Sequence, residues 1–243
     1  MVTGKGNEGR ARQAVGGETA FGRALDELKT SGSGFLVTGA VPTAVHAASC
    51  RHFLGGDSEE PRGQVVLSGS GDQLHEDGVG IADRRRVVEL ATDYRSTETV
   101  AGTGQSAGTV PGPADESIAG GVRNATDLRE LGLQTMDAID AIEPLGGFDP
   151  GELRLCFDAF DAAAERLGED ALFEFLHLLL GRVRGLDGLA HAHFRGDRDA
   201  APCEVFEPLF DGVVELRATE GGAEQRWHLL DAEVSSEWLA LRV

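Results

Sequence analysis

Apolar residues in this chain fall into short runs closed by glycine-rich turns, interleaved with stretches of helical period. Glu18 to Lys29 carries Phe21, Leu25 and Leu28 on one side and predicts an amphipathic helix that ends at Ser31–Gly34. Phe35–Gly39 is an apolar strand closing on glycine, Pro42 opens a helix running to about Leu54, and Gln64–Ser68 resumes strand character, so the three make a β-α-β unit. Arg86–Ala91 predicts a third strand. Asp127 to Ile142 places Leu131, Met136, Ile139 and Ile142 along a helix side, and Leu153–Asp158 is a fourth strand. The strongest helical signal is Glu169 to Arg184, where Leu172, Leu176, Leu179, Leu180 and Val183 form one face. Leu189–Phe194 predicts a fifth strand and Cys203–Phe210 a short helix. Segments 213–217, 225–230 and 237–243 around Gly221–Gly222 predict an antiparallel meander.

Strands alternating with helices, then a closing run of strands, predict an α/β fold: a three-layer, mostly parallel sheet flanked by helices, with a C-terminal antiparallel extension. A length of 243 residues suits a single domain. Its expected span is 18–243. Residues 1–17 are polar and Gly-rich and read as a disordered leader, while 96–126 is Gly, Ser, Thr, Pro and acid with too few apolar groups to offset ordering entropy, and reads as a flexible insertion.

The charge balance narrows the class of partner. There are 41 acidic and 22 basic residues, a net charge of -19, and Lys5 and Lys29 are the only lysines. Spread carboxylates with small apolar residues suit a salt-rich cytoplasm, where screening within a few Å removes much of the self-repulsion. Such a surface repels nucleic acid and anionic lipid, and Arg84–Arg86 is the only basic run. No apolar stretch approaches the length of a membrane span and no export signal opens the chain, which points to a cytoplasmic location.

Chemistry is expected where a glycine-ending strand turns into a helix, since backbone N–H groups there can hold phosphate. Against G-x-x-x-x-G-K-[ST], the segment Gly39–His46 keeps the first glycine but has Ala44, Val45 and His46 at the second glycine, the lysine and the hydroxyl. Valine brings no charge to a phosphate, and imidazole is a poor magnesium ligand. Asp158, ending an apolar strand, stands where a nucleotide-bound metal would be held, although strand-end aspartates also cap turns. His191 and His193 share one strand face and form a candidate metal pair that lacks an apparent third ligand. Cys50, Cys156 and Cys203 are odd in number and widely spaced without C-x-x-C, a pattern that opposes both a disulfide framework and a structural zinc site; Cys50 reads as a small core residue. Ser68–Gly71 does not fit a nucleophile elbow.

The segments Leu153–Asp158, Phe173–Arg182, Ala190–Phe194 and Phe206–Leu216, in this order and spacing, resemble the second half of a haloarchaeal family of uncharacterised RecA/KaiC-like proteins. The resemblance covers about Phe35 to Val243. It implies a RecA-like sheet with a degenerate phosphate loop, Asp158 at the metal-binding aspartate, and Ser68–Ser70 where active relatives carry the water-activating glutamate. The expectation is therefore a scaffold or regulatory protein without catalytic residues or resident metal, acting through protein partners or self-association. Gly39, Thr43 and Asp158 remain as a nucleotide-binding remnant that would take ATP and Mg²⁺ weakly. A slow ATPase and a DNA recombination or repair accessory protein are the alternatives.

Overall fold

A computed structural model describes residues 20–56, 62–69, 84–91 and 122–243. Its strands are β1 (Ser33–Thr38), β2 (Gly63–Gly69), β3 (Arg85–Leu90), β4 (Val122–Ala125), β5 (Leu153–Phe157), β6 (Leu189–Phe194), β7 (Gly212–Thr219), β8 (Gly222–Leu229), β9 (Val234–Ser235) and β10 (Leu239–Leu241). The helices are α1 (residues 20–30), α2 (Thr43–Phe53), α3 (Leu128–Asp140), α4 (Phe160–Leu167), α5 (Glu169–Arg184) and α6 (Ala201–Phe206). One sheet contains every strand in the order β10-β8-β7-β1-β6-β5-β2-β3-β4, with β9 on β8. From β7 to β4 all neighbours are parallel; β8 turns back on β7 at Gly222, and β9 and β10 pair antiparallel with β8. The expected α/β class, mostly parallel sheet and antiparallel C-terminal strands are all present.

Burial explains the central position of β1 and β6. Every residue of both strands is buried, since helices cover both faces, and in β6 that burial includes the two polar side chains His191 and His193. On one face α2 packs with Phe35, Val37, Val214 and Leu216, and Phe21, Leu25 and Leu28 of α1 extend that cluster. The opposite face carries the larger core, in which Leu36, Leu67, Leu155 and Ala190 meet Leu131 and Ile139 of α3, Phe160 and Ala163 of α4, Leu172, Leu176 and Val183 of α5, and Phe206 of α6. Each large side chain buried in this way stabilises the fold by about 1.5–3 kcal/mol. Asp127 starts α3 by accepting from the Glu130 amide at 2.8 Å, while the Glu130 carboxylate accepts from the amide of Thr126, one residue before the cap, at 2.8 Å.

The structure departs from expectation in two places. Residues 122–125, assigned to the flexible insertion, form β4 beside β3, and the ladder continues into a 2.8 Å bond from the Ala91 amide to the Ala125 carbonyl. A four-residue edge strand carries too little periodicity to stand out from its polar surroundings. The helix α4 was also not expected, because its buried side is only Phe160 and Ala163. Residues 1–17 of the leader and 96–121 of the insertion lie outside the described residues. No helix among the described residues is long and apolar enough to cross a membrane.

Candidate metal centre

The chain leaves β1 through α2 towards β2 on one side and leaves β6 through α6 towards β7 on the other. The crevice between β1 and β6 is therefore a topological switch point, where open α/β sheets bind ligands outside the carboxyl ends of their strands. Gly39 follows β1, Asp158 follows β5 and Arg195 follows β6, the strand between them. Their polar groups are engaged within the chain. The Gly39 amide donates to the Gly196 carbonyl at 2.9 Å, and the Gly39 carbonyl lies 2.9 Å from His46 Nε2. Gly39 adopts φ +146°, and a Cβ there would fall 2.6 Å from the Leu216 carbonyl oxygen, so this glycine is needed for its close approach to β7. The Asp158 carboxylate, fully shielded from solvent, accepts from Arg195 Nη2 at 3.1 and 3.3 Å. Thr43 is exposed in the first turn of α2, behind Pro42, which has no N–H to offer an anion.

Beneath this edge, on the α2 face of the sheet, five polar side chains meet in a buried cluster. His46 and Cys50 are one helical turn apart on α2 and so face the sheet together. His191 and His193 alternate onto the same face of β6, and the β5–β6 register sets Cys156 directly beside His191. All five are at most 1% exposed. Cys50 Sγ lies 3.2 Å from Cys156 Sγ and 3.2 Å from His191 Nε2, and His46 Nδ1 lies 3.1 Å from His193 Nδ1. The Phe53 ring stacks on His191 with 4.8 Å between centroids and closes the cluster towards α1. One ligand atom from each of Cys50, Cys156, His191 and His193 falls within 4.8 Å of the others.

Burial governs the protonation of these groups. It holds His193 down at about 3, against an opposing interaction with Cys50, so the imidazole is neutral at any ordinary pH. Burial likewise lowers His46, with its bond to Gly39 acting the other way. Burial pushes the Cys50 thiol up, yet the bond from Cys156 and the neighbouring His191 outweigh it and hold Cys50 well below its ordinary value. Cys156 is driven well above its own by burial and by Cys50. The two sulfurs are thus shifted in opposite directions, Cys50 down and Cys156 up. Two sulfurs and two imidazole nitrogens within reach of one point are the donor set of a tetrahedral Cys₂His₂ centre.

Of the residues expected at a site, the fold places Gly39 and Asp158 at the same sheet edge but commits both to internal contacts, and it leaves Thr43 at the surface. His191 and His193 do share a face. Cys50 and Cys156, from two other elements, join them in the cluster; Cys50 is buried in the core as expected, and its sulfur faces both Cys156 and His191. The available signal was H-x-x-x-C on α2 and H-x-H on β6; the pairing of Cys156 with His191 depends on sheet register. Arg195 was missed altogether.

A family model described as a family of unknown function (DUF7504) matches residues 32–216, from β1 into β7. The chain has no match among curated proteins.

Proposed function

We infer that this chain, which belongs to the DUF7504 family of unknown function, is a RecA/KaiC-like scaffold that binds protein partners and does not turn over nucleotide. The order β7-β1-β6-β5-β2, with the glycine-ending β1 between two later strands, supports the frame. The observation that carries the absence of turnover is the ion pair of Asp158 with Arg195. A carboxylate that is to hold Mg²⁺ must offer its oxygens to the ion, whereas this one is shielded and already charge-compensated by a guanidinium. His46, at the hydroxyl position, is turned onto the Gly39 carbonyl and brings no oxygen ligand. These residues do not fit a magnesium–nucleotide complex, and no phosphoryl-transfer step follows from them.

A surface for a partner lies between α3 and α5. Leu128, Gly132, Leu133, Met136, Phe175 and Leu178 line a groove of about 490 Å³, in which Leu133 is 60% and Leu178 65% exposed. Apolar side chains exposed at the rim of a groove are the usual anchors for a partner's helix or loop.

Titration calorimetry with MgATP at molar KCl is the test. The expected result is no binding tighter than about 100 μM. Tighter binding that disappears in Asp158→Asn would overturn the scaffold reading in favour of a nucleotide-using protein.

A further inference from the structure

We propose that Cys50, Cys156, His191 and His193 form a tetrahedral zinc site that staples α2 to strands β5 and β6, with His46 and the Gly39 carbonyl as its outer shell.

The direction of the hydrogen bonds carries the argument. The Gly39 carbonyl can only accept, so His46 Nε2 carries a proton and donates to it at 2.9 Å. Neutral His46 then has a bare Nδ1, which must accept from His193 Nδ1 at 3.1 Å. His193 consequently has its proton on Nδ1 and a lone pair on Nε2. That atom is buried and makes no hydrogen bond of ordinary geometry, the ring's electrostatic interaction being with Cys50 of the same cluster. Two donors in series thus fix the tautomer that a metal-binding imidazole requires, in the manner of outer-shell partners at known metal centres. Leaving such a buried acceptor unmatched costs about 1–3 kcal/mol, and a cation at the focus of the cluster removes that cost. His191 points Nε2 at Cys50 Sγ from the adjoining position, and Cys156 completes the set.

The donors choose the metal. Two sulfurs and two nitrogens without an oxygen ligand suit a borderline or soft cation and exclude Mg²⁺ and Ca²⁺. Two thiolates balance a divalent charge, so the loaded site is neutral in its buried setting. The three ligand-bearing segments lie near residues 50, 156 and 191, so one ion closes two long loops and clamps α2 over the switch point. Metal–sulfur and metal–nitrogen bonds of about 2.3 and 2.0–2.1 Å require the cluster to adjust by roughly 1 Å or less. A Cys50–Cys156 disulfide is the competing chemistry: it would consume both sulfurs, release two electrons and two protons to an oxidant, and leave His193 Nε2 unmatched.

The full-length protein, purified with a non-thiol reductant and stripped with a chelator, is titrated with Co²⁺ and then Zn²⁺ at molar KCl. The expected result is one Co²⁺ per chain, with a thiolate-to-cobalt charge-transfer band and the intense visible bands of tetrahedral cobalt, both abolished by one equivalent of Zn²⁺. Cys50→Ser and Cys156→Ser each lose the charge-transfer intensity of one sulfur. Cys203→Ser, outside the cluster, titrates like the parent. His46→Ala retains the bands with affinity lowered about 10–100-fold, a change that a purely structural role for His46 would not produce. Sub-stoichiometric cobalt without a thiolate band in the parent protein overturns the proposal, as does binding unchanged in both cysteine variants or a Cys50–Cys156 disulfide in the reduced preparation by mass spectrometry. These readouts involve no nucleotide or partner, so the scaffold reading stands or falls separately.

Discussion

Replacing Arg195 by alanine removes the guanidinium that compensates Asp158 at the carboxyl edge of the sheet. The aspartate side chain is 0% exposed and Arg195 32%, so the carboxylate stays buried while its countercharge goes. Breaking a buried ion pair from one side costs about 3–5 kcal/mol, and the lower end applies because Arg195 is partly solvated and water can enter where it stood. The expected loss is about 3 kcal/mol. With a urea slope near 2 kcal/mol/M that is a shift in midpoint of roughly 1.5 M. Asp158→Asn keeps the shape and removes the charge, leaving Arg195 in contact with solvent, and is expected to cost only about 1–2 kcal/mol. In that background Arg195→Ala should cost less than about 1 kcal/mol, giving a coupling energy near 2 kcal/mol in the double-mutant cycle. Urea denaturation of the four proteins at fixed salt measures it. If Arg195→Ala costs the same with and without the Asp158 charge, or less than about 1 kcal/mol in the parent, the pair does not hold this edge and Asp158 is available for other ligands.

Gly39→Ala should destabilise by about 2 kcal/mol or more, because its φ of +146° disfavours a side chain and the added Cβ meets the Leu216 carbonyl; a midpoint within error of the parent would refute this. Burial, reinforced by Glu207 and opposed by Arg198, raises Cys203 to about 11. The reactive form is the thiolate, so at pH 8 about one molecule in a thousand carries it, and alkylation followed by peptide mapping should run at least 100-fold slower in the native protein than in urea, rising about tenfold per pH unit. Leu178→Glu, in the exposed lip of the α3–α5 groove, should change stability by no more than about 0.5 kcal/mol while weakening retention of a groove-bound partner at least tenfold; equal retention by parent and variant in a binding titration would remove the groove from the scaffold reading.

Local pattern was enough for most of the frame. A continuous apolar run such as Phe35–Val37 can satisfy water exclusion only as a strand covered on both faces, and the leucine stripe of Glu169–Arg184 can do so only as a helix lying on a sheet. The same logic placed Gly39 at a tight turn and His191 with His193 on one face. Elements with little apolar content of their own, α4 and β4, are held by neighbours distant in sequence, and so their residues carry scant signal.

The sites depended on tertiary structure, for a reason of geometry. Asp158 and Arg195 become partners because β5 and β6 are adjacent, and no spacing along the chain encodes that adjacency. Cys50 and Cys156 are separated by 106 residues, yet their sulfurs lie 3.2 Å apart. Cys156 reaches His191 only in one register of β5 against β6, and a slip of one residue would turn it to the opposite face of the sheet. By itself the sequence determined which segments are strands and helices and which residues carry sulfur and imidazole, since both follow from composition and period. The folded chain alone decided that four of those side chains point at one another in a buried space, because convergence is a property of strand order, register and helix placement taken together.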